Sequence, residues 1–203
     1  MESLRKVTGI AAPMLRINID TDQIIPALFL GGTDAKGYGA NLFHGSRFLA
    51  DGKPNPEFIL NQPPYDRAQI LLADRNFGCG SSRERAPKAL REFGFRAILA
   101  PSFGGIFFGN CYRNGIIPVE LPIEIVRSIA AEVDGSGGTA QVSVDVEAQV
   151  VVAPSGARYP FAAPTTLRQM LMEGMDEIAL TLARGDEISR FREADQARRP
   201  WAY

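Results

Sequence analysis

The sequence predicts one α/β domain in which a sheet and helices form layers. Three observations lead there. Ile70–Ala73 and Ala97–Ala100 are short apolar runs of strand type, with a glycine turn and a helical stretch between them. Strand, helix and strand of this length suggest a parallel crossover, right-handed because a twisted strand feeds a helix back onto the sheet that way. Further on, Val142, Val144 and Val146 alternate with polar residues, the period of a half-buried strand. Finally, 203 residues, 45% of them hydrophobic, are enough for one sizeable core. The expected domain spans 1–203, with a polar tail from about 189.

Taken in order, Val7–Ala12 reads as an opening strand ended by Pro13. Asp20 and Asp22 flank Thr21 ahead of Gln23-Ile24-Ile25-Pro26. Acidic residues so placed cap helices or form turns, and one of the two is expected to do so. Gly31–Gly39 is a polar, glycine-rich loop, and Asp51–Asp66 a long surface connection rich in Pro and Asn. After Ala97–Ala100, a helix is expected to open at Ser102 and to bury Phe103, Ile106, Phe107 and Phe108. Gly104 and Gly105 weaken that helix. Ile116–Leu121 is a strand whose Pro118 suits a sheet edge. Ile125, Ile129 and Val133 follow at helical spacing. Val142–Val146, Val150–Val152 and Tyr159–Phe161 make a β-meander, with Ser155-Gly156 as a hairpin turn. Thr165–Glu173 and Asp176–Ala183 read as helices separated by Gly174, and Asp186–Arg198 as a final polar helix or tail.

Composition narrows the function. A formal net charge of -1 gives no electrostatic case for nucleic acid or an anionic membrane. No apolar run approaches membrane-spanning length. Met1–Lys6 lacks the apolar core of a signal peptide, so a cytoplasmic location is expected. The two cysteines, Cys79 and Cys111, form no CxxC pair and cannot hold an iron–sulfur cluster without other ligands. With His44 as the one histidine, a Ser-His-Asp triad would have to run through it, and a histidine-rich metal site is excluded.

The most informative run is Asn76–Leu90, which enters from the Ile70–Ala73 strand. Gly78 and Gly80 permit positive φ and close approach to the backbone. Ser81 and Glu84 match the capping-box spacing, which marks Ser81 as an N-cap. Ala86, Ala89, Leu90 and Phe93 fit one helix face. Amide groups at a helix start favour an anion, and Arg83 adds a planar cationic fork that suits a carboxylate. Arg83 stands where a dinucleotide loop would have its third glycine, and no Gly-Lys-Ser/Thr follows for a nucleoside triphosphate. Two readings remain: a carboxylate site with two hydroxyls and an arginine, or a well-capped helix after a tight turn.

Gly78-Cys79-Gly80-Ser81-Ser82-Arg83-Glu84 followed by Ala86-Pro87 resembles the signature of the isopropylmalate isomerase (3-isopropylmalate dehydratase) small-subunit family, which corresponds to the swivelling domain of aconitases. Asp20–Pro26, Asn41-Leu42-Phe43, Phe58–Asn61, Ala100–Phe103 and Phe108-Gly109-Asn110 match in the same order, so the likeness runs from about Val7 to about Ile188. It implies a layered swivelling β/β/α domain of aconitase type. It implies Ser81 as the group that takes a carbon-bound proton, Ser82 and Arg83 as holders of substrate carboxylate, and Asp22 as a second catalytic residue. It also makes Gly31–Gly39 the loop that meets the substrate's variable side group, with Leu30, Gly31 and Lys36 as binding residues. Relatives often carry an arginine just before the glycine pair of this loop, where Ala35 and Lys36 stand here. They usually have His in place of Arg85, often Trp in place of Lys88, and often Ala-Asp in place of Gly104-Gly105.

The implied chemistry is the reversible dehydration and rehydration that moves a hydroxyl from C2 to C3 of an isopropylmalate in leucine biosynthesis. A serine serves as a base only where donors hold its negative charge. Hydroxide leaves carbon poorly without a Lewis acid. In the family that acid belongs to a [4Fe–4S] cluster on a separate large subunit. This chain is thus expected to carry no metal or cofactor of its own, to bind a small diacid, and to need the large subunit as partner. A paralogue acting on another branched malate or a citraconate-type diacid, and a non-catalytic anion-binding domain, are the alternatives.

Overall fold

The computed structural model describes residues 2–29, 31 and 37–203. Its strands are β1 (Lys6–Met14), β2 (Ile70–Ala73), β3 (Ala97–Ala100), β4 (Ile117–Glu120), β5 (Gln141–Asp145), β6 (Val150–Val152) and β7 (Arg158–Pro160). They form one seven-stranded sheet in the order β4-β3-β2-β1-β5-β6-β7. The long strand β1 joins its two halves. Ala11–Met14 pair in parallel with Ile70–Ala73. Lys6–Ile10 pair antiparallel with Asp145–Gln141. The parallel half continues through β3 and β4, and the antiparallel half is the expected meander. Pro118 lies in β4, at the sheet edge where its missing N–H is tolerated.

Pro13 does not end β1; it lies inside the strand, opposite Leu72. By that point β5 has left the other side, since its pairing stops at Ile10. A proline in a half-strand paired on one side need not break a ladder.

Strand alternation sends successive side chains to opposite faces, and two apolar layers result. Ile70 and Leu72 join Leu99, Ile117 and Val119 beneath helix α5 (Ile123–Gly135), which contributes Val126, Ile129, Ala130 and Val133. Leu71 and Ala73 join Ile98 and Ala100 on the other face. There they meet short helix α1 (Thr21–Ile24), the segment around α2 (His44–Arg47), helix α3 (Arg85–Phe93) and helix α4 (Gly105–Arg113). Both crossover strands are buried along their whole length, as a sheet covered on two faces requires. Helices α6 (Thr165–Glu173), α7 (Glu177–Leu182) and α8 (Gly185–Arg198) close the chain. Among the described residues, no helix is long and apolar enough to cross a membrane.

Helix α4 starts three residues later than expected. The Ser102 carbonyl accepts the Phe77 N–H at 3.1 Å, and its Oγ accepts the Asn76 N–H at 2.9 Å. Ser102 therefore ties two loops together instead of opening a helix. Ile106 also departs from the expected core, being 61% exposed, while Phe107 is buried. Phe103 and Phe108 are half-buried, their rings packed 5.9 Å apart.

Candidate active site

The turn after β2 is laid down by two loops. The Gly78 N–H donates to the Ile19 carbonyl at 2.7 Å, and the Thr21 N–H donates to the Cys79 carbonyl at 2.9 Å. These bonds pair the Asp20 and Gly78–Cys79 segments as a short parallel bridge. On its other side Phe77 bridges to Phe103. Gly78 has φ +70, and a Cβ there would stand 2.2 Å from the Phe107 ring, so both conformation and room demand glycine. The first α4 residues and the α1 loop thus grip the turn from two sides.

Asp20 and Asp22 divide their work. Asp20 caps α1, its carboxylate accepting the Gln23 N–H at 2.7 Å. Asp22 is left to form an ion pair with Arg83 Nη1. The same nitrogen reaches the Ile25 carbonyl at 3.3 Å. The Arg83 side chain is only 17% exposed against 58% for Asp22, so a cation held at the protein surface by one half-open carboxylate remains available on its outer side. Its fork can grip a planar carboxylate with two parallel bonds.

Ser81 and Ser82 are both exposed. Thr21, 1% exposed, donates through Oγ1 to the Ser81 carbonyl at 3.0 Å and lies 3.4 Å from Ser81 Oγ. The Arg83 N–H adds a 2.8 Å bond to the same carbonyl. Ser81 is not an N-cap: α3 begins at Arg85, with Glu84 in the cap position and no side-chain cap bond. Pro87 accounts for the difference. A helix opening after Ser81 would put proline beyond its first turn, where the missing N–H breaks a helical bond; opening at Arg85 keeps it inside that turn. Ser81 therefore carries two bonds on its carbonyl and a hydroxyl within reach of Thr21 Oγ1, and it caps no helix.

Ser81, Ser82, Arg83 and Asp22 are thus brought together. Gly31 is exposed, with no described atom within 4 Å of where its Cβ would stand. Leu30 and Lys36, the other two expected binding residues, lie outside the described residues. The downstream end of the Gly31–Gly39 stretch packs on α3, with Tyr38 reaching Arg85 just past the turn.

Residues 1–124 match the family model of the aconitase C-terminal domain, and residues 129–162 match the model described as LeuD_N. The 3-isopropylmalate dehydratase small subunit of Cupriavidus necator is 52% identical over 205 residues, covering 100% of this chain and 99% of that protein. The chain belongs to the 3-isopropylmalate dehydratase small-subunit family. Small subunits from Paramagnetospirillum magneticum and Neisseria meningitidis are 46% and 45% identical, again over at least 99% of each chain. The solved 3-isopropylmalate dehydratase of Methanocaldococcus jannaschii shares the fold, with TM-score 0.63 at 24% identity over 91% of this chain and 98% of that one. The layered aconitase-type domain expected from the motifs is therefore the fold observed.

Within this family member, Thr21 is the site residue that sequence reasoning passed over. Its signal is a hydroxyl between two aspartates, the residue types on which a functional reading of that motif settles. Among the described residues, no group of three or more His, Cys, Asp or Glu could hold a metal ion. Cys111 is fully buried, and burial raises its thiol well above the usual range, so it packs as an apolar group. Cys79 stands alone in the site turn.

Proposed function

We propose that the chain is the small subunit of a heteromeric hydro-lyase that interconverts 2-isopropylmalate and 3-isopropylmalate by dehydration and rehydration, in leucine biosynthesis. Full-length likeness to relatives of that name favours this over a non-catalytic anion-binding domain. The observation that carries it is the joining of two distant motifs: Thr21 holds Ser81, and Asp22 pairs with Arg83.

In this reading the outer side of Arg83 and the Ser82 hydroxyl bind a substrate carboxylate. Ser81 Oγ, as the alkoxide whose negative charge Arg83 nearby offsets, takes the proton from the adjacent carbon, and that charge passes to the substrate carbon beside its carboxylate. Asp22 holds Arg83 against the turn and keeps its fork aimed outward. Leu30, Gly31 and Lys36 meet the substrate's side group. A large subunit bears a [4Fe–4S] cluster, which when bound supplies the Lewis acid for the leaving hydroxyl. A cytoplasmic location goes with this reading.

Mixing the chain with a cognate large subunit reconstituted with iron and sulfide tests it. Turnover of 2-isopropylmalate by the mixture, and none by this chain alone, is the expected result. Turnover by this chain alone, or none by the mixture with a cluster-loaded partner, would overturn it.

A further inference from the structure

Two cations next to the site have no place in the reaction above. Arg85 and Lys88 are exposed residues at i and i+3 of α3, hence on one face. Both turn to Tyr38. Arg85 Nε donates to Tyr38 Oη at 3.1 Å, and the Arg85 guanidinium carbon lies 5.8 Å from the ring centre. Lys88 Nζ lies 5.1 Å from the same centre. Both distances are within cation–π range. One turn further along α3, Glu92 accepts the Gly39 N–H at 3.0 Å. A Cβ on Gly39 would stand 2.8 Å from the Glu92 and Phe93 backbone, so the chain here lies directly on the helix. Arg47, in α2, closes the far side by donating to the Gly39 carbonyl at 3.2 Å.

We infer that Arg85 and Lys88 are positioning residues for substrate recognition: they clamp Tyr38 and so fix the downstream end of the Gly31–Gly39 stretch against the helix that follows the site turn. The inference rests on the proposed role of that stretch in meeting the substrate's side group. The physical logic is shared anchorage. Arg83, in the turn, and Arg85, the first residue of α3, are separated by one residue, so the carboxylate-binding arginine and the Tyr38 clamp sit side by side along the chain. A side group and a carboxylate of one substrate are then gauged from neighbouring points of one chain segment. Tyr38 suits the task because its hydroxyl gives Arg85 a directional bond while its ring face accepts Lys88.

The test uses the Arg85→Ala/Lys88→Ala double variant and Arg85→Lys/Lys88→Arg, which keeps both charges. Amide exchange of Gly39 in the free chain reads the clamp, with β2 amides as the folding control. Steady-state kinetics of the complex with the large subunit read the function, on isopropylmalate and on a malate bearing only a methyl group. In the alanine variant, Gly39 exchange is expected to quicken about tenfold or more while β2 stays protected. KM for isopropylmalate is expected to rise about tenfold, equivalent to about 1.4 kcal/mol, at nearly constant kcat. The methyl substrate should change little, and the charge-preserving variant should recover most of both effects. Unchanged Gly39 exchange would overturn the clamp. Faster exchange with unaltered KM, or an equal loss on both substrates, would overturn the positioning role. A wild-type complex with no turnover would instead overturn the functional reading, and the inference with it.

Discussion

Replacing Thr21 by Val asks whether the buried hydroxyl holds the candidate base. Valine keeps the shape of threonine and the backbone bond from residue 21 to the Cys79 carbonyl, so the bridge between the two loops survives. What goes is the 3.0 Å bond to the Ser81 carbonyl and the 3.4 Å approach to Ser81 Oγ. The Ser81 carbonyl keeps its 2.8 Å bond from the Arg83 N–H, so it is not left orphaned. A net loss of about 1 kcal/mol follows for one hydrogen bond. For a domain of this size that is roughly 2–4 °C in Tm. Catalysis should suffer more, because a reacting group misplaced by about 1 Å can lose on the order of 10² in rate. Thermal melts of the free chain and kcat of the assembled enzyme give the two numbers. Thr21→Ser, which keeps the hydroxyl, should restore kcat. A Val variant that melts a few degrees lower yet keeps kcat within about threefold would show that Thr21 stabilises the turn without orienting Ser81.

Three further outcomes are expected. Ser81→Ala should leave stability within about 0.5 kcal/mol, since the side chain is exposed and caps nothing, and should lower kcat of the complex by ~10²–10⁴; near-normal kcat would remove Ser81 from the role of base. Arg83→Lys keeps the charge but loses the fork, so kcat/KM should drop about 10- to 100-fold through KM, measurable with substrate series in which one carboxylate is amidated. Stability should fall as pH rises above about 9, because the folded chain holds the Cys111 proton that the unfolded chain releases near the ordinary value of 9.0; denaturant melts at several pH values up to about 10, below the range where the buried Tyr112 hydroxyl adds a slope of the same sign, should show this, and Cys111→Ala should flatten it there.

What could be read from the chain was whatever depended on local pattern. The runs Ile70–Ala73 and Ala97–Ala100 are continuous apolar stretches, and both are buried from end to end. The Val142-Val144-Val146 alternation puts all three valines inside. The expectation that one aspartate of the Asp20–Asp22 pair caps a helix is met by Asp20, which leaves Asp22 to pair with Arg83. Where reading failed, a distant segment had decided the matter. Pro13 continues a strand because β5 stops at Ile10. Ser102 gives up its helix because the Asn76 and Phe77 amides claim it. Ser81 matched a capping box, but Pro87 moves the helix start past it. Thr21 and the Tyr38 clamp are tertiary contacts across dozens of residues, and no local rule announces those.

The exposure of Ser81 and Ser82 bears directly on why such a site would be divided between two chains. In open water a serine hydroxyl is a poor base, and a neighbouring guanidinium helps little, because two charges about 4 Å apart interact by only about 1 kcal/mol at the dielectric constant of water. The same pair in a water-excluded cleft interacts several-fold more strongly. The chain here anchors Ser81 and Arg83 but leaves Ser81 and Ser82 exposed: the Ser81 carbonyl accepts from Thr21 Oγ1 and from the Arg83 N–H, and Arg83 pairs with Asp22. Orientation is thus built into this subunit, and desolvation is left to whatever closes over it. In the proposed reading, such a division keeps the reactive groups harmless until a partner and substrate arrive together, since the field that makes Ser81 basic forms only on closure.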